Sequence, residues 1–532
     1  MSVKVKARPV GHGWHMSDSL KLLMAVIFIV AVLFPLGVML LQMDGDSLNA
    51  VFGAEDFLTI VWNSLSVSLV AMVITVLTAY ALAVATQRCD IKCKGLFALI
   101  FTLPMLVPSI SNGMGLIILF GNNGVLTRLL GLSQNIYGFW GIVLGSWLYA
   151  FPVAYLMLSD VLRYEDRTPY EAAHVLGLSK MRQFTAITWP YLRRPLVSVV
   201  FSVFTLIVTD YGVPLMVGGK FKTIPVVMYQ EVIGQMKFGR GAAYGLILLV
   251  PALVAFILDF INKDKGNSSY VVKDEQKRVS LLTRMAAYVG CGMTSVVVLL
   301  PFVAFVLLAF ATQYPRNLTF TLEHITDMVR GADGYLLNSF IMALGVALVG
   351  VCVSFVTAYF TARMKSKTSR FLHLASITTG AIPGIVLGLS YVLTFKGSLV
   401  YGTLAILIMV NTVHFLSSPY LMMYNSLSKI NENLEPVGQT LGIGRLRMIK
   451  DVFIPRCAGT LVEMFSYFFV NCMMTISAVS FLATTDNKPV SLLITQFEAQ
   501  SQFECAAVVS LAILAVNLII KGVAWLCRRR AH

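Results

Sequence analysis

The sequence predicts an all-α polytopic membrane protein of about twelve transmembrane helices, arranged as two parallel six-span halves. Three observations carry this reading. The chain has 532 residues, of which 57% are hydrophobic and only 13% charged, whereas soluble domains average about 25% charged residues. Twelve mostly apolar stretches are each long enough to cross a bilayer. A polar interruption of fixed spacing occurs once in each half: Leu176-Gly177 is followed by Pro190 and Leu441-Gly442 by Pro455, in both cases 13 residues after the glycine.

The apolar stretches lie near 22–42, 58–86, 96–120, 138–160, 195–217, 242–262, 284–312, 337–363, 371–395, 399–428, 459–481 and 506–526. About 20 helical residues cross the ~30 Å hydrocarbon layer. Backbone groups in lipid must be hydrogen-bonded within their own segment, so each stretch reads as a helix. The third contains Pro104, Pro108, Gly113 and Gly115, and the ninth Pro383, Gly384 and Gly388; both are expected to kink or unwind. The first stretch is too long for a signal-peptide core and reads as a retained span.

A formal charge of +15 suggests nucleic acid or anionic lipid until its placement is considered. With the N-terminus inside, only nine of the 41 Lys and Arg fall on outer segments, four of them Lys220, Lys222, Lys237 and Arg240. That bias predicts both termini in the cytoplasm and assigns no role to nucleic acid. The eight Cys show no metal-ligand spacing, and Cys89 and Cys93 read as ordinary thiols.

The halves also match outside the loops. Asn63-Ser64 pairs with Asn338-Ser339, Thr78-Ala79-Tyr80 with Thr357-Ala358-Tyr359, Val107-Pro108 with Ile382-Pro383, Tyr155 with Tyr420, and Ala242 with Ala506. The expected organisation is a first domain at 1–262, a polar cytoplasmic linker at 263–283 and a second domain at 284–532. Six spans per half give a parallel repeat, which puts a translocation path between the halves.

The first inner loop covers about 161–195. Pro169 opens a short helix, where proline is tolerated. Glu171 suits the positive N-terminal end, Ala172 and Ala173 permit close approach, Gly177 allows a sharp stop, and Ser179 caps a second helix. The predicted unit is helix, turn, helix across the inner surface, with Pro190 and Pro195 leading into the fifth span. The second loop, about 429–456, keeps Gly442 and Pro455 but has Pro436-Val437-Gly438 where the first has Glu171-Ala172-Ala173, with Glu435 one residue early.

This pattern of E-A-A, a glycine four residues on, then apolar residues and proline resembles the EAA loop of type I ABC importer permeases. It is closest to the fused permeases of ferric-iron, 2-aminoethylphosphonate and thiamine importers. Thr209–Val226 looks most like the ferric-iron and aminoethylphosphonate groups. The resemblance implies that Glu171, Ala172, Ala173, Gly177, Pro190, Glu435, Gly438, Gly442 and Pro455 contact two copies of a cytoplasmic ATPase. It also implies an extracytoplasmic solute-binding protein that delivers a small polar solute. No G-x-x-x-x-G-K-[S/T] occurs, so ATP and Mg²⁺ belong to the partner. This chain is expected to be a non-enzymatic transport subunit with no cofactor or metal of its own.

Candidate path residues are polar groups in apolar context: Asp210 with Tyr211, Asn112, Asn471, Thr475 and Ser477, with Asn411 and His414 nearby in character. Intramembrane carboxylates are costly and usually face a bundle interior or watery path; the alternative for Asp210 is a position near the interface or a partner that holds the outer loop. The competing function is an ion-gradient-driven twelve-span transporter. Its expected G-x-x-x-D-R-x-G-R-R-like loop is replaced here by Gln87-Arg88-Cys89-Asp90-Ile91-Lys92-Cys93-Lys94-Gly95.

Overall fold

The computed structural model describes residues 13–131, 136–166, 168–262, 280–314, 316–364 and 366–531. Most of the linker expected at 263–283 lies outside the described residues; its last part is not linker, because Ser280 caps a helix that begins at Leu281. Nine helices among the described residues are long and apolar enough to span a membrane, and three bent pairs bring the total to twelve. The apolar residues they leave uncovered, such as Trp62, Leu77, Val254 and Val296, form the surface that lipid must solvate.

The breaks fall where proline interrupts the apolar runs. In the third span a 3-10 turn, Leu103–Leu106, ends before Pro108, and a new helix runs Ser109–Phe120. In the ninth, Lys367–Ala381 meets Gly384–Phe395 at 110°. Such breaks free backbone carbonyls, which in a membrane need protein donors. Asn112 Nδ2 donates to the Pro104 carbonyl at 3.4 Å, and Asn517 Nδ2, from the twelfth span, to Leu106 at 2.9 Å. The tenth and eleventh spans also bend, by 56° at Phe415-Leu416 and 77° at Cys457.

One expectation about the loops needs correction. In the first half the second loop helix is not separate from the span. Lys180–Val208 is one helix of 29 residues, with a π-turn at Phe184–Thr188 just before Pro190. Proline has no N–H to give the preceding turn, and the widened turn accommodates that loss. The second half repeats the π-turn at Ile449–Phe453, and there the loop helix does lean away from its span.

The repeat is structural, with one register to revise. Asn63 Nδ2 donates to the Lys222 carbonyl and Asn338 Nδ2 to that of Asp486. Ser64 Oγ accepts from Ile224 N, and Ser339 Oγ from Val490 N, both at 2.7 Å. At the far end of the same helices Tyr155 donates to Thr86 and Tyr420 to Thr361. Both sets correspond at an offset of 275 residues along Phe57–Arg88 and Glu323–Arg363. Each added residue would turn the remaining helix by about 100°, so one continuous helix holds one offset. The sequence match of Thr78-Ala79-Tyr80 with Thr357-Ala358-Tyr359 is therefore four residues out of register.

These serine clamps are a measurable part of the fold. Ser64→Ala or Ser339→Ala leaves a buried amide without its acceptor and should each lower stability by about 1–3 kcal/mol. Thermal unfolding of the purified chain in detergent checks this, and the double variant should be close to additive because the sites share no partner.

The sequence halves are interleaved in space. The first span packs along the ninth, where Tyr391 Oη donates to the Ala31 carbonyl at 2.7 Å. The seventh span packs on the second and third. There Arg284 pairs with Asp90 at 3.0 Å, and a Cβ on Gly115 would lie 2.6 Å from Pro301. Each half thus lends its first helix to the other.

Candidate functional site

The two loops reach the same shape from different residues. The Thr168–Val175 helix is capped by Asp166, whose carboxylate accepts from Thr168 N. It stops at Gly177, φ +67°, with Leu178 N returning to the Ala173 carbonyl at 3.0 Å. Leu434–Thr440 stops the same way at Gly442, φ +70°, with Ile443 N returning to Gly438 at 2.8 Å. This is the glycine-ended stop that satisfies the last carbonyls of a helix. Ala173 and Gly438 are buried at matching positions, and a Cβ on Gly438 would sit 2.3 Å from Met448 Sδ. Glu171, Ala172 and Pro436 are exposed. So are the apolar tips Val175, Leu176 and Met181 in one loop and Leu441 and Leu446 in the other. Paired apolar tips beyond the membrane-facing surface are the kind of patch that a protein partner covers.

What fixes the loops to the bundle is a pair of arginines that sequence reasoning did not select. Arg88 ends the second span and grips Glu165 through both carboxylate oxygens, 2.6 to 3.1 Å. Tyr170 Oη donates to Glu165 at 2.7 Å and meets Thr188 in the π-turn. Burial pushes the Tyr170 phenol up, so it stays a neutral donor. Arg363 ends the eighth span and takes both oxygens of Glu435, at 2.5 and 2.6 Å, together with the carbonyls of Ile430 and Asn431.

The glycine stops align the loops at an offset of 265, which puts Glu435 in the place of Tyr170, not of Glu171. The Glu435 carboxylate is therefore turned inward to Arg363 at the end of the eighth span, where sequence reasoning had it facing a partner. The alignment of Gly177 with Gly442 already shows Glu435 one residue early; what it cannot show is that this earlier position faces Arg363.

The path candidates separate into two groups. Asn112 is buried and Asn471 half-buried, and each donates to a backbone carbonyl of its own span, Pro104 and Tyr467. The others gather where the halves meet. Tyr211 is buried, stacks on Tyr229 at 5.2 Å, and hydrogen-bonds Ser480 of the second half. Tyr229 in turn stacks on Phe481 at 6.0 Å. Asp210 accepts from Ser109 Oγ at 2.6 Å, Gly212 N at 3.3 Å and Val213 N at 3.0 Å. Its carboxylate is thus engaged by its own half. Thr475 is buried with no partner for its hydroxyl, and Ser477 lies against Gly384 and His414. Tyr149 stands within electrostatic reach of Asp210 and Tyr467. The sequence reading passed over Ser109, Tyr149 and Tyr467 because hydroxyls and phenols are unremarkable in apolar helices. On the side away from the loops, a cavity of about 420 Å³ opens between the halves. Val232, Met236 and Phe238 line it from one half, and Val392, Lys396 and Phe481 from the other.

Two interleaved six-span repeats, matched loops at one end and a polar seam between the halves define a membrane transport subunit. The chain belongs to the family of binding-protein-dependent transport system inner membrane components, whose profile matches residues 91–264 and again 350–531. It is 25% identical over 449 residues to a ferric transport system permease protein, FbpB 1, of Haemophilus influenzae, covering 81% of this chain and 71% of that one. It is 24% identical over 497 residues to the ferric transport system permease protein FbpB of Actinobacillus pleuropneumoniae, covering 90% and 72%. A thiamine transport system permease protein, ThiP, of Brucella abortus is 27% identical over 205 residues, 37% of each chain.

Proposed function

We propose that this chain is the permease subunit of a type I ABC importer, carrying both permease halves, for a small polar solute, with ferric iron or 2-aminoethylphosphonate favoured. Two copies of a cytoplasmic ATPase seat on the loops around Glu171 to Gly177 and Glu435 to Gly442. An extracytoplasmic binding protein delivers the solute to the opposite face. The observation that carries this reading is the recurrence of one glycine-stopped, apolar-tipped loop at equivalent places in both halves. The names of the ferric relatives favour iron. Each loop is tied to another span of the same half, the second or the eighth, by an arginine–glutamate pair, so a push on the loop is passed to that helix. ATP binding and the loaded binding protein must then each favour a different packing of the halves, since a ligand shifts an equilibrium only by its differential affinity. The positive-inside bias of the sequence supports a cytoplasmic position for the loops and both termini, in the bacterial inner membrane that the family implies.

The test is co-purification with a candidate cytoplasmic ABC ATPase co-expressed with this chain. Glu171→Lys combined with Gly177→Leu should abolish capture of the first copy while the chain still inserts and melts as a folded protein. Gly177 has a left-handed φ, which costs an ordinary residue about 1–2 kcal/mol. Uptake that continues in cells lacking every candidate ATPase would overturn the reading in favour of a gradient-driven carrier.

A further inference from the structure

The repeat provides an internal control for the seam between the halves, and the two copies differ there by one charge. At the offset of 275 that relates the third and ninth spans, Ser109 corresponds to Gly384 and Gly113 to Gly388. At the offset of 265 that relates the fifth and eleventh, Asp210 corresponds to Thr475, Gly212 to Ser477 and Val213 to Ala478. The same offset pairs Tyr149 with His414. The backbone agrees with this correspondence. A Cβ on Gly113 would lie 3.5 Å from the Val213 carbonyl, and one on Gly388 would lie 2.6 Å from that of Ala478. Both glycines bed the same returning loop against a half-helix that starts at a broken span.

In the first half this junction is filled. The Asp210 carboxylate takes the Ser109 hydroxyl and the amides of Gly212 and Val213. In the second half the hydroxyl has changed sides: glycine stands at 384 and serine at 477, with Ser477 Oγ 2.3 Å from where a Gly384 Cβ would be. The donors therefore persist, but the carboxylate does not, because Thr475 replaces Asp210. Thr475 is 5% exposed and its hydroxyl has no partner. His414 presents Nε2 to the same point beside Gly384, at 2.9 Å, and its Nδ1 is buried without a partner. Among the described residues, no backbone acceptor is found for the amides of Ser477 and Ala478, the two that Asp210 occupies in the other copy. The Gly384–Phe395 helix has twelve residues and opens on this junction, so its N-terminal partial charge adds to the same field.

We propose that the junction bounded by Gly384, His414, Thr475 and Ser477 receives one oxyanion group of the transported solute, in the place that Asp210 fills in the first half. The group is a phosphonate, phosphate or carboxylate, held by hydroxyls and backbone amides. It arrives either as part of the solute itself or as the oxyanion ligand of a chelated metal ion. The proposal rests on the path running between the halves, as in the permease reading. The seam supports that placement: Tyr211 reaches Ser480 from the first half, and a Cβ on Gly212 would lie 2.7 Å from Ile476 Cδ1. Any solute passing there meets both junctions, one already carrying a carboxylate and one with its donors open.

The experiment is binding to the purified full-length chain in nanodiscs, read by calorimetry and by thermal unfolding, with no ATPase present. The probes are methylphosphonate, 2-aminoethylphosphonate, citrate and ferric citrate, with chloride as the control. At least one oxyanion should bind saturably and raise the melting temperature, while chloride does neither. Preference for ferric citrate over citrate identifies a chelate as the source, and preference for either phosphonate identifies the solute itself. Thr475→Asp supplies the missing carboxylate in a geometry the first half already tolerates. It should weaken oxyanion binding by about tenfold or more, whereas the uncharged Thr475→Asn should stay within about threefold. Ser477→Ala, which removes a donor and adds no charge, should weaken binding by about fivefold or more and decides the matter if Thr475→Asp does not fold. Absence of saturable oxyanion binding to the wild-type chain, or undiminished binding by the variants, would overturn the proposal. Because no ATPase takes part, either result leaves the co-purification test of the permease reading independent.

Discussion

Replacing Arg363 with alanine is expected to be among the most destabilising single changes in this chain, lowering stability by about 3–5 kcal/mol, the range for removing one partner of a buried ion pair. The Arg363 side chain is 2% exposed. It serves both oxygens of Glu435 and the carbonyls of Ile430 and Asn431, and its guanidinium lies over the Phe453 ring at 5.4 Å. Alanine would leave a mostly buried carboxylate and two carbonyls without their donor at the root of the second loop. Arg363→Lys should recover only part of the loss, because a single ammonium cannot reproduce the planar two-pronged grip or reach all the acceptors at once.

Arg88→Ala is the matched comparison and should cost less. The Arg88 side chain is 27% exposed, so water screens part of the change, and Tyr170 remains as a donor to Glu165. Thermal unfolding in detergent ranks the three variants, and capture of the proposed ATPase partner by each reports whether the loops keep their shape. An Arg363→Ala chain that melts within about 1 kcal/mol of wild type would show that the pair is incidental.

The difference between these two arginines also marks how far the sequence could be read. The spans, the breaks at Pro108 and Pro383, the glycine stops at 177 and 442 and the doubling of the chain were legible because each depends on local composition: apolar length, a missing N–H, a left-handed φ. The pairs Arg88–Glu165 and Arg363–Glu435 were not, because they join residues more than 70 positions apart whose partners occupy different places in the two loop sequences. The same limit applied to Asp210. Its isolation in an apolar run was visible, but the Ser109 hydroxyl that engages it comes from another span. The interleaving of the first and seventh spans had no local signature either, since their lipid-facing and protein-facing sides are both apolar. Register was legible in part, since the matches of Asn63-Ser64 with Asn338-Ser339 and of Val107-Pro108 with Ile382-Pro383 already carry the structural offset. Short-motif matching misplaced Thr78 against Thr357, and the unbroken helices put the offset right.

Gly212→Leu is the second change expected to have a large effect, and it acts on function more than on stability. A Cβ at Gly212 would lie 2.4 Å from Ser109 Oγ, 2.7 Å from Ile476 Cδ1 and 3.0 Å from Ile110 N. Ser109 holds Asp210, and Ile476 belongs to the other half. A leucine must therefore displace either the Asp210 junction or the second-half loop, and with the latter the Tyr211–Ser480 contact. Overpacking of this kind typically costs about 1–3 kcal/mol, which a protein of this size can tolerate. In the proposed alternating-access cycle, however, the seam between the halves parts and re-forms, and a wedge fixed within it would bias every turn of that cycle. Uptake by cells carrying Gly212→Leu should fall by about tenfold or more at equal membrane abundance, with Gly212→Ala intermediate. Gly290→Ala serves as the control, because a Cβ there meets nothing within 4 Å and alanine favours a helix interior by about 0.5–1 kcal/mol; it should leave uptake unchanged. If Gly212→Leu lost uptake only in proportion to its lost abundance, the contact at the seam would be packing alone, and the moving surfaces would have to lie elsewhere between the halves.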